Sequence, residues 1–172
     1  AILELAKDKP DIIIDQDIID ASKKSEDIRS EAIAVAGERN LSALSDVLQN
    51  NISHNDLRVR SASACSLVKM NDHVEEAKTV MQKLLNSADV NEIKIALQFL
   101  DKPMGILDDN QLVGFLQHES PDIREESLKI AGTRQNLELL DHIIGNLAYP
   151  KSAIQARQAL SGFDEESVLN SL

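Results

Sequence analysis

The sequence predicts an all-α fold, a right-handed α–α superhelix of about six antiparallel helix pairs. An eleven-residue segment occurs twice, as DIRSEAIAVAG at 27–37 and as DIREESLKIAG at 122–132, with six identical positions. Apolar residues within the segment recur at the spacing of one face of a helix. Aromatic residues make up only 2% of the chain, with 6 glycines and 4 prolines, whereas a sandwich or barrel needs many turns and favours aromatic strands.

The two copies belong to a longer series with a period of 31 to 33 residues. An apolar-basic pair opens the motif at 28–29, 59–60 and 123–124, in steps of 31 and 64 residues. An intermediate copy, DVNEIKIALQFL, stands at 89–100, and a further copy begins near Ile154. A period of this size is typical of a solenoid, in which stacked helix pairs share one core. We therefore expect one solenoid domain over 1–172, cut from a longer protein, with repeats near 1–25 (a degenerate leading pair), 26–55, 56–88, 89–119, 120–150 and 151–172.

Helix starts are marked by capping residues at one phase of the repeat. These residues are Ser25, Asp56, Asp89 and Ser120, and each can accept a hydrogen bond from the first turn of a helix. Pro121 follows the last of them, at a position that tolerates proline. The predicted helices cover 2–8, 15–24, 26–37, 41–51, 56–70, 73–86, 90–101, 109–117, 121–132, 136–147, 151–162 and 164–171.

Glycine and asparagine mark the connection between the two helices of a copy. Gly37 suits the left-handed position just past the end of a first helix, and Gly132 stands at the same phase. Asn40 and Asn136 then suit the cap of the second helix. The pattern predicts a short turn between an antiparallel pair.

The phrase D-x-[apolar]-R-x-x-[small]-x-x-[apolar] at the head of the first helices resembles HEAT repeats, especially the short HEAT-like type found in phycobiliprotein lyases. Segments 27–37, 57–67 and 122–132 carry it best, and the resemblance covers roughly residues 26–163. Ile93 and Gln155 stand where arginine is expected in the third and fifth copies. The resemblance implies an α-solenoid whose second helices line the concave side.

The concave side of such an array is an extended surface for a partner. Its polar positions, on the second helices, are therefore the candidate contacts. We expect a protein or peptide to bind at Gln49, Glu76, Lys83, Asp141 and His142.

Arginines recur at the start of three first helices, each with an aspartate close by. They can be read as an anion-binding stripe or as a structural ladder that ties neighbouring repeats together. The resemblance and the adjacent carboxylates favour the ladder. The ladder residues are Arg29, Arg60, Arg124, Asp27, Asp56 and Asp122.

The net charge of −11 narrows the classes of partner. Nucleic-acid binding draws most of its affinity from basic side chains on phosphates, and an acidic chain is repelled by nucleic acid and by anionic membranes. No stretch approaches 18 consecutive apolar residues, so we expect no membrane insertion by this segment. We expect a partner with a basic patch, or a neighbouring domain of the same chain, in the cytoplasm or on the cytoplasmic portion of a larger protein.

The sequence nominates no catalytic residue, no metal site and no cofactor. Cys65 is the only cysteine and stands among small apolar residues, which favours a buried, inert thiol. His54 and His118 occupy the same loop two repeats apart, too far from each other to share a metal ion. Neither HExxH nor CxxC spacing occurs, and the glycines form no phosphate-binding loop.

These observations predict a non-catalytic scaffold or regulatory domain that binds a protein or peptide on its concave face. The alternative is a subunit or accessory domain of an enzyme, such as a HEAT-like-repeat lyase. A local basic or catalytic constellation would favour the alternative, and the residues nominate none.

Overall fold

The computed structural model describes residues 15–100, 105–164 and 168, and the regular structure of this part of the chain is entirely helical. The all-α prediction is confirmed, and the right-handed sense of the superhelix stays a prediction. The predicted helix 2–8 lies outside the described residues, as does nearly all of 164–171. The α-helices are α1 (Asp15–Ala21), α2 (Glu26–Glu38), α3 (Ser45–Asn51), α4 (Leu57–Lys69), α5 (Val74–Leu85), α6 (Val90–Gln98), α7 (Asp109–Leu116), α8 (Pro121–Arg134), α9 (Leu140–Gly145) and α10 (Ala153–Leu160).

Short 3₁₀ turns extend the second helices α3 and α9. The turn Ser42–Leu44 leads into α3, Leu137–Leu139 leads into α9, and Asn146–Ala148 follows α9. First helices of the pairs are α2, α4, α6, α8 and α10, and second helices are α1, α3, α5, α7 and α9. Each described element overlaps a helix that the periodicity predicts, although α2 and α8 run one and two residues past the predicted ends at 37 and 132.

The chain divides into two compact units, with the boundary between Asn86 and Ser87. In the first unit α4 packs against α2, α3 and α5, and α1 packs against α2. In the second unit α8 packs against α6, α7 and α10. Each unit is therefore organised around one first helix, and the expectation of a single domain over 1–172 stays a prediction.

Side-chain contacts in the second unit show how its first helices pack. Lys94 on α6 pairs with Asp122 on α8 at 2.7 Å, and Gln98 donates to Glu126 at 3.2 Å. Both pairs are 28 residues apart in sequence. A constant offset along two helices requires that they run parallel, one repeat apart.

Capping residues stand at the predicted helix starts. The Asp56 carboxylate accepts two backbone N–H groups of α4, at 2.9 and 3.0 Å, and Asp89 accepts one from α6 at 2.8 Å. Ser25 and Ser120 occupy the same position before α2 and α8, with Pro121 next, although neither hydroxyl makes a capping bond. The predicted cap positions are confirmed. Of these four residues, the two aspartates form capping hydrogen bonds and the two serines do not.

Gly37 does not end a helix, so the prediction of a left-handed cap there is wrong. It lies inside α2, and a Cβ added to it would come 2.7 Å from the Cα of Ser66 on α4. Gly132 lies inside α8 and is equivalent, since its Cβ would come 2.8 Å from the Cα of Ala159 on α10. Glycine at this position of the repeat lets two adjacent first helices pack with their backbones in close contact.

The left-handed residue of the first pair is Asn40, with φ 55°. The prediction that Asn40 caps a second helix is therefore wrong, because asparagine is here used for its tolerance of this backbone region. Asn136 does cap, since its side chain accepts the N–H of Glu138 at 3.1 Å. In that pair Gln135 takes the left-handed position instead, with φ 50°.

We predict that Gly37→Ala destabilises the protein although alanine favours helix. The intrinsic gain is about 1 kcal/mol, and overpacking against a backbone atom costs about 1–3 kcal/mol. Urea unfolding followed by circular dichroism measures the difference. Gly114→Ala is the control, since a Cβ at this position of α7 meets nothing within 4 Å and should be neutral or stabilising. Equal stability of the two variants would contradict the close-approach explanation.

Candidate functional site

All three ladder arginines bind the loop in front of their own helix, and Arg29 does so by donating to the backbone carbonyl of Lys24 at 3.3 Å. Arg60 Nε donates to the backbone carbonyl of His54 at 2.9 Å, and Arg124 Nη1 donates to that of His118 at 2.7 Å. Each of these last two carbonyls lies six residues before its arginine. The arginine in the first turn therefore fastens the loop that leads into the helix.

The histidines of these loops also bind through their rings. His54 Nδ1 accepts the backbone N–H of Asp56 at 3.0 Å, and His118 Nδ1 accepts that of Ser120 at 2.9 Å. The sequence predicts that both histidines lie in equivalent loops, and it does not predict these hydrogen bonds. The missed signal was their spacing to the cap residue and to the arginine, H-x-[D/S]-x-x-x-R at 54–60 and 118–124.

The ladder arginines also make contacts between repeats. Arg29 Nη1 on α2 lies 3.4 Å from His54 Nε2, in the loop before α4. Arg124 Nε donates to the hydroxyl of Ser152, before α10, at 3.2 Å, and its guanidinium lies 4.4 Å from the ring centroid of Tyr149. Arg124 is 8% exposed. Its charge is therefore held by carbonyls, a hydroxyl and an aromatic face rather than by water.

The three ladder aspartates have other partners. Asp56 caps α4, Asp122 pairs with Lys94 of the preceding repeat, and the backbone carbonyl of Asp27 accepts the Ser30 hydroxyl at 3.0 Å. The arginines thus contact groups of the loops. The Asp56 carboxylate contacts the first turn of its helix, and the Asp122 carboxylate contacts a lysine. We propose that these two separate sets of contacts together make up the structural ladder.

Two ion pairs of the second unit shift the pKa values of Lys94, Asp122 and Asp109. The hydrogen bond between Lys94 and Asp122 raises the pKa of the lysine and lowers the pKa of the aspartate. Arg134 and then Asn136 donate to the Asp109 carboxylate and lower its pKa. Asp109 begins α7 and Arg134 ends α8, so the second pair joins opposite ends of two antiparallel neighbours.

The candidate partner contacts divide between the two units. Gln49 on α3 is half-buried, whereas Glu76 and Lys83 on the first and last turns of α5 are exposed. In the second unit Asp141 is exposed and His142 is half-buried, with its Nδ1 3.2 Å from Gln117 Nε2. All five lie on second helices, and their role in binding stays a prediction.

The described residues offer little to reactive chemistry. Cys65 lies on α4 and is 2% exposed. Within 15–100, 105–164 and 168, no three histidine, cysteine or acidic side chains gather as metal ligands. In the same part of the chain, no helix has the length and apolar character needed to cross a membrane.

Packed helix pairs that recur with parallel first helices define an α-helical repeat protein. Residues 16–100 match the family model of HEAT repeats, which covers α1 to α6. Residues 16–100 therefore belong to a HEAT-like repeat family, as the motif of the first helices predicted. No curated protein matches the chain.

We predict that Arg60→Ala lowers the free energy of unfolding by about 1–2 kcal/mol, because hydrogen bonds from a charged donor to loop carbonyls are lost. Arg58→Ala is the control, since Arg58 lies in the same turn, carries the same charge and is exposed. It should change stability by no more than about 0.5 kcal/mol. Thermal melting of both variants is the measurement. Unchanged melting with loss of partner binding in Arg60→Ala would refute the structural role.

We predict a pH-dependent effect of Asp109→Asn. The folded pKa of Asp109 is lowered, so its contribution to stability is present above the unfolded value of about 4 and is lost as pH falls through the folded value. Because the side chain is 40% exposed, the loss at pH 7 should be at most about 1 kcal/mol. Urea unfolding from pH 7 to pH 3 should show the difference from the unmodified protein shrinking below pH 4. The control Asp108→Asn keeps a capping residue and should show no such trend.

Proposed function

We propose that this protein is a non-catalytic scaffold or regulatory domain that binds a protein or peptide on the concave face formed by its second helices. The supporting observation is the contrast between the first helix α4 and the second helix α5 that packs against it. Residues 61–67 of the first helix α4 are all buried. The second helix α5 buries Ala77 and Met81 but exposes Glu76 and Lys83. A partner therefore finds accessible side chains on the second helices.

Charge suggests the chemistry of the partner. The chain carries 29 acidic against 18 basic residues, and the acidic side chains exposed on second helices include Glu76 and Asp141. Complementary potentials mainly raise the rate of association and select against wrong partners. We therefore propose a partner with a basic patch, on another protein or on a neighbouring domain, in the cytoplasm.

We predict that association with the partner slows as salt rises. Exposed charges are screened beyond about 8–10 Å at physiological ionic strength, so long-range attraction weakens. A partner captured from the native cell extract would be identified and its association rates measured at low and high salt. A small-molecule ligand bound tightly and independently of salt, or turnover of a substrate, would refute the proposal and favour the enzyme alternative.

The surface itself is tested by a pair of charge reversals in the first unit. Glu76→Lys places a positive charge on α5 and should lower affinity for a basic partner. Glu31→Lys makes the same change at an exposed position of the first helix α2. Equal effects of the two variants would show that net charge matters and that the second-helix face does not.

A further inference from the structure

A side-chain acceptor two residues before the cap is shared by three repeats. His54 accepts the N–H of Asp56, and His118 that of Ser120, at 3.0 and 2.9 Å. In the repeat between them the acceptor is the hydroxyl of Ser87, which accepts the N–H of its cap residue at 3.0 Å. The three sites thus perform the same task, twice with an imidazole and once with a group that does not titrate.

Only an unprotonated Nδ1 can accept these bonds. A backbone N–H always donates, so the lone pair must be on Nδ1 and the proton of the neutral ring on Nε2. The imidazolium form carries N–H groups at both positions and accepts nothing. Imidazole side chains generally change charge between pH 5 and 8, so the bond is tested across that range.

Two arginines lie close to the His54 ring and its backbone. Arg29 Nη1 lies 3.4 Å from Nε2, where two donors face each other without a hydrogen bond. Arg60 of α4 binds the His54 carbonyl. The Asp56 carboxylate of the same loop is occupied by two N–H groups of α4, and the last turn of α3 contributes the neutral backbone carbonyl of Asn51. A second proton on the ring would therefore place a cation beside the Arg29 guanidinium.

His118 has a similar but milder setting. Arg124 of α8 donates to the carbonyls of His118 and Glu119, at 2.7 and 3.0 Å. The exposed Glu119 carboxylate follows in the same loop, and α7 contributes the carbonyl of Phe115, which accepts the His118 N–H at 3.2 Å. The His118 ring thus accepts the same kind of bond as the His54 ring. Arg124, on the helix that follows, holds the backbone carbonyl of His118.

We propose that His54 and His118 are proton-sensitive latches at the starts of α4 and α8. When Nδ1 takes up a proton, the N–H of the cap residue loses its acceptor and the first turn of the helix loosens. The latch is closed at neutral and higher pH and opens as pH falls. Since α4 and α8 each pack against three helices of their unit, opening destabilises the centre of each unit.

The test replaces each histidine by the group that already serves in the intervening repeat. His54→Ser and His118→Ser imitate Ser87, and they keep an acceptor that does not titrate. His54→Ala and His118→Ala remove the acceptor at every pH. His73→Asn is the control, because His73 is exposed at the start of α5, its Nε2 lies 3.6 Å from Asp72, and asparagine tolerates its backbone φ of 45°.

Melting temperatures at pH 7.5 and 5.5 supply the first readout, in a range above the titration of ordinary carboxylates. Each latch is one hydrogen bond, so its opening should lower the melting temperature by about 2–4 °C. The unmodified protein and His73→Asn should show this acid-sensitive drop, and the double serine variant should lose it. The alanine variants should melt low at both pH values.

Amide resonances supply a second readout that does not depend on global unfolding. The N–H signals of Asp56 and Ser120 should follow the histidine titration, while that of Asp89, bound to Ser87, should not. The proposal is wrong if those two amides ignore the titration, or if the double serine variant keeps the full acid-sensitive drop. Should an alanine variant fail to fold, the serine variant and the amide signals still decide.

Discussion

Parallel packing of first helices is the constraint on which each unit depends. α4 has neighbours on three sides, and almost every residue from 59 to 67 is buried. A helix enclosed in this way cannot use bulky side chains throughout, because adjacent helix axes must approach to the distance set by the contact residues. This explains why α4 reads SASACS at 61–66 and why glycine stands at 37, where the backbone of a neighbour is closest.

Small polar residues create a second requirement, because buried polar groups need partners. The Ser66 hydroxyl donates to the Ile33 carbonyl of α2 at 2.8 Å, so it joins the two helices at the point where Gly37 permits contact. In the second unit Arg124 and Glu126 are buried on α8, and both are bonded within the unit. These bonded groups thus join elements within each unit, whereas the buried hydroxyls of Ser61 and Ser63 on α4 have no hydrogen-bond partner among the described residues.

The sequence predicts the helices well because their periodicity and caps act over a few residues. It predicts the side-chain contacts less well, since the partner of a residue often lies in the next repeat and leaves no pattern in the neighbouring sequence. Gly37 looks like a helix end in sequence, and only the position of Ser66 shows that it is a point of contact. In sequence, aspartates are the charged residues close to the arginines. In the structure, backbone carbonyls of the preceding loop accept the hydrogen bonds of the guanidinium groups, and no second charge has to be buried.

The contacts between repeats also limit where a partner can bind. The ladder arginines, Ser66 and the glycines at 37 and 132 are engaged in contacts within each unit, so substitutions there act first on stability. The second helices have no comparable demand on their outer face, and α5 combines a buried row with exposed Glu76 and Lys83. We therefore propose that differences in partner between such repeat proteins lie largely in second-helix side chains. That is why we place recognition there, and why the motif that reveals the fold says so little about the partner.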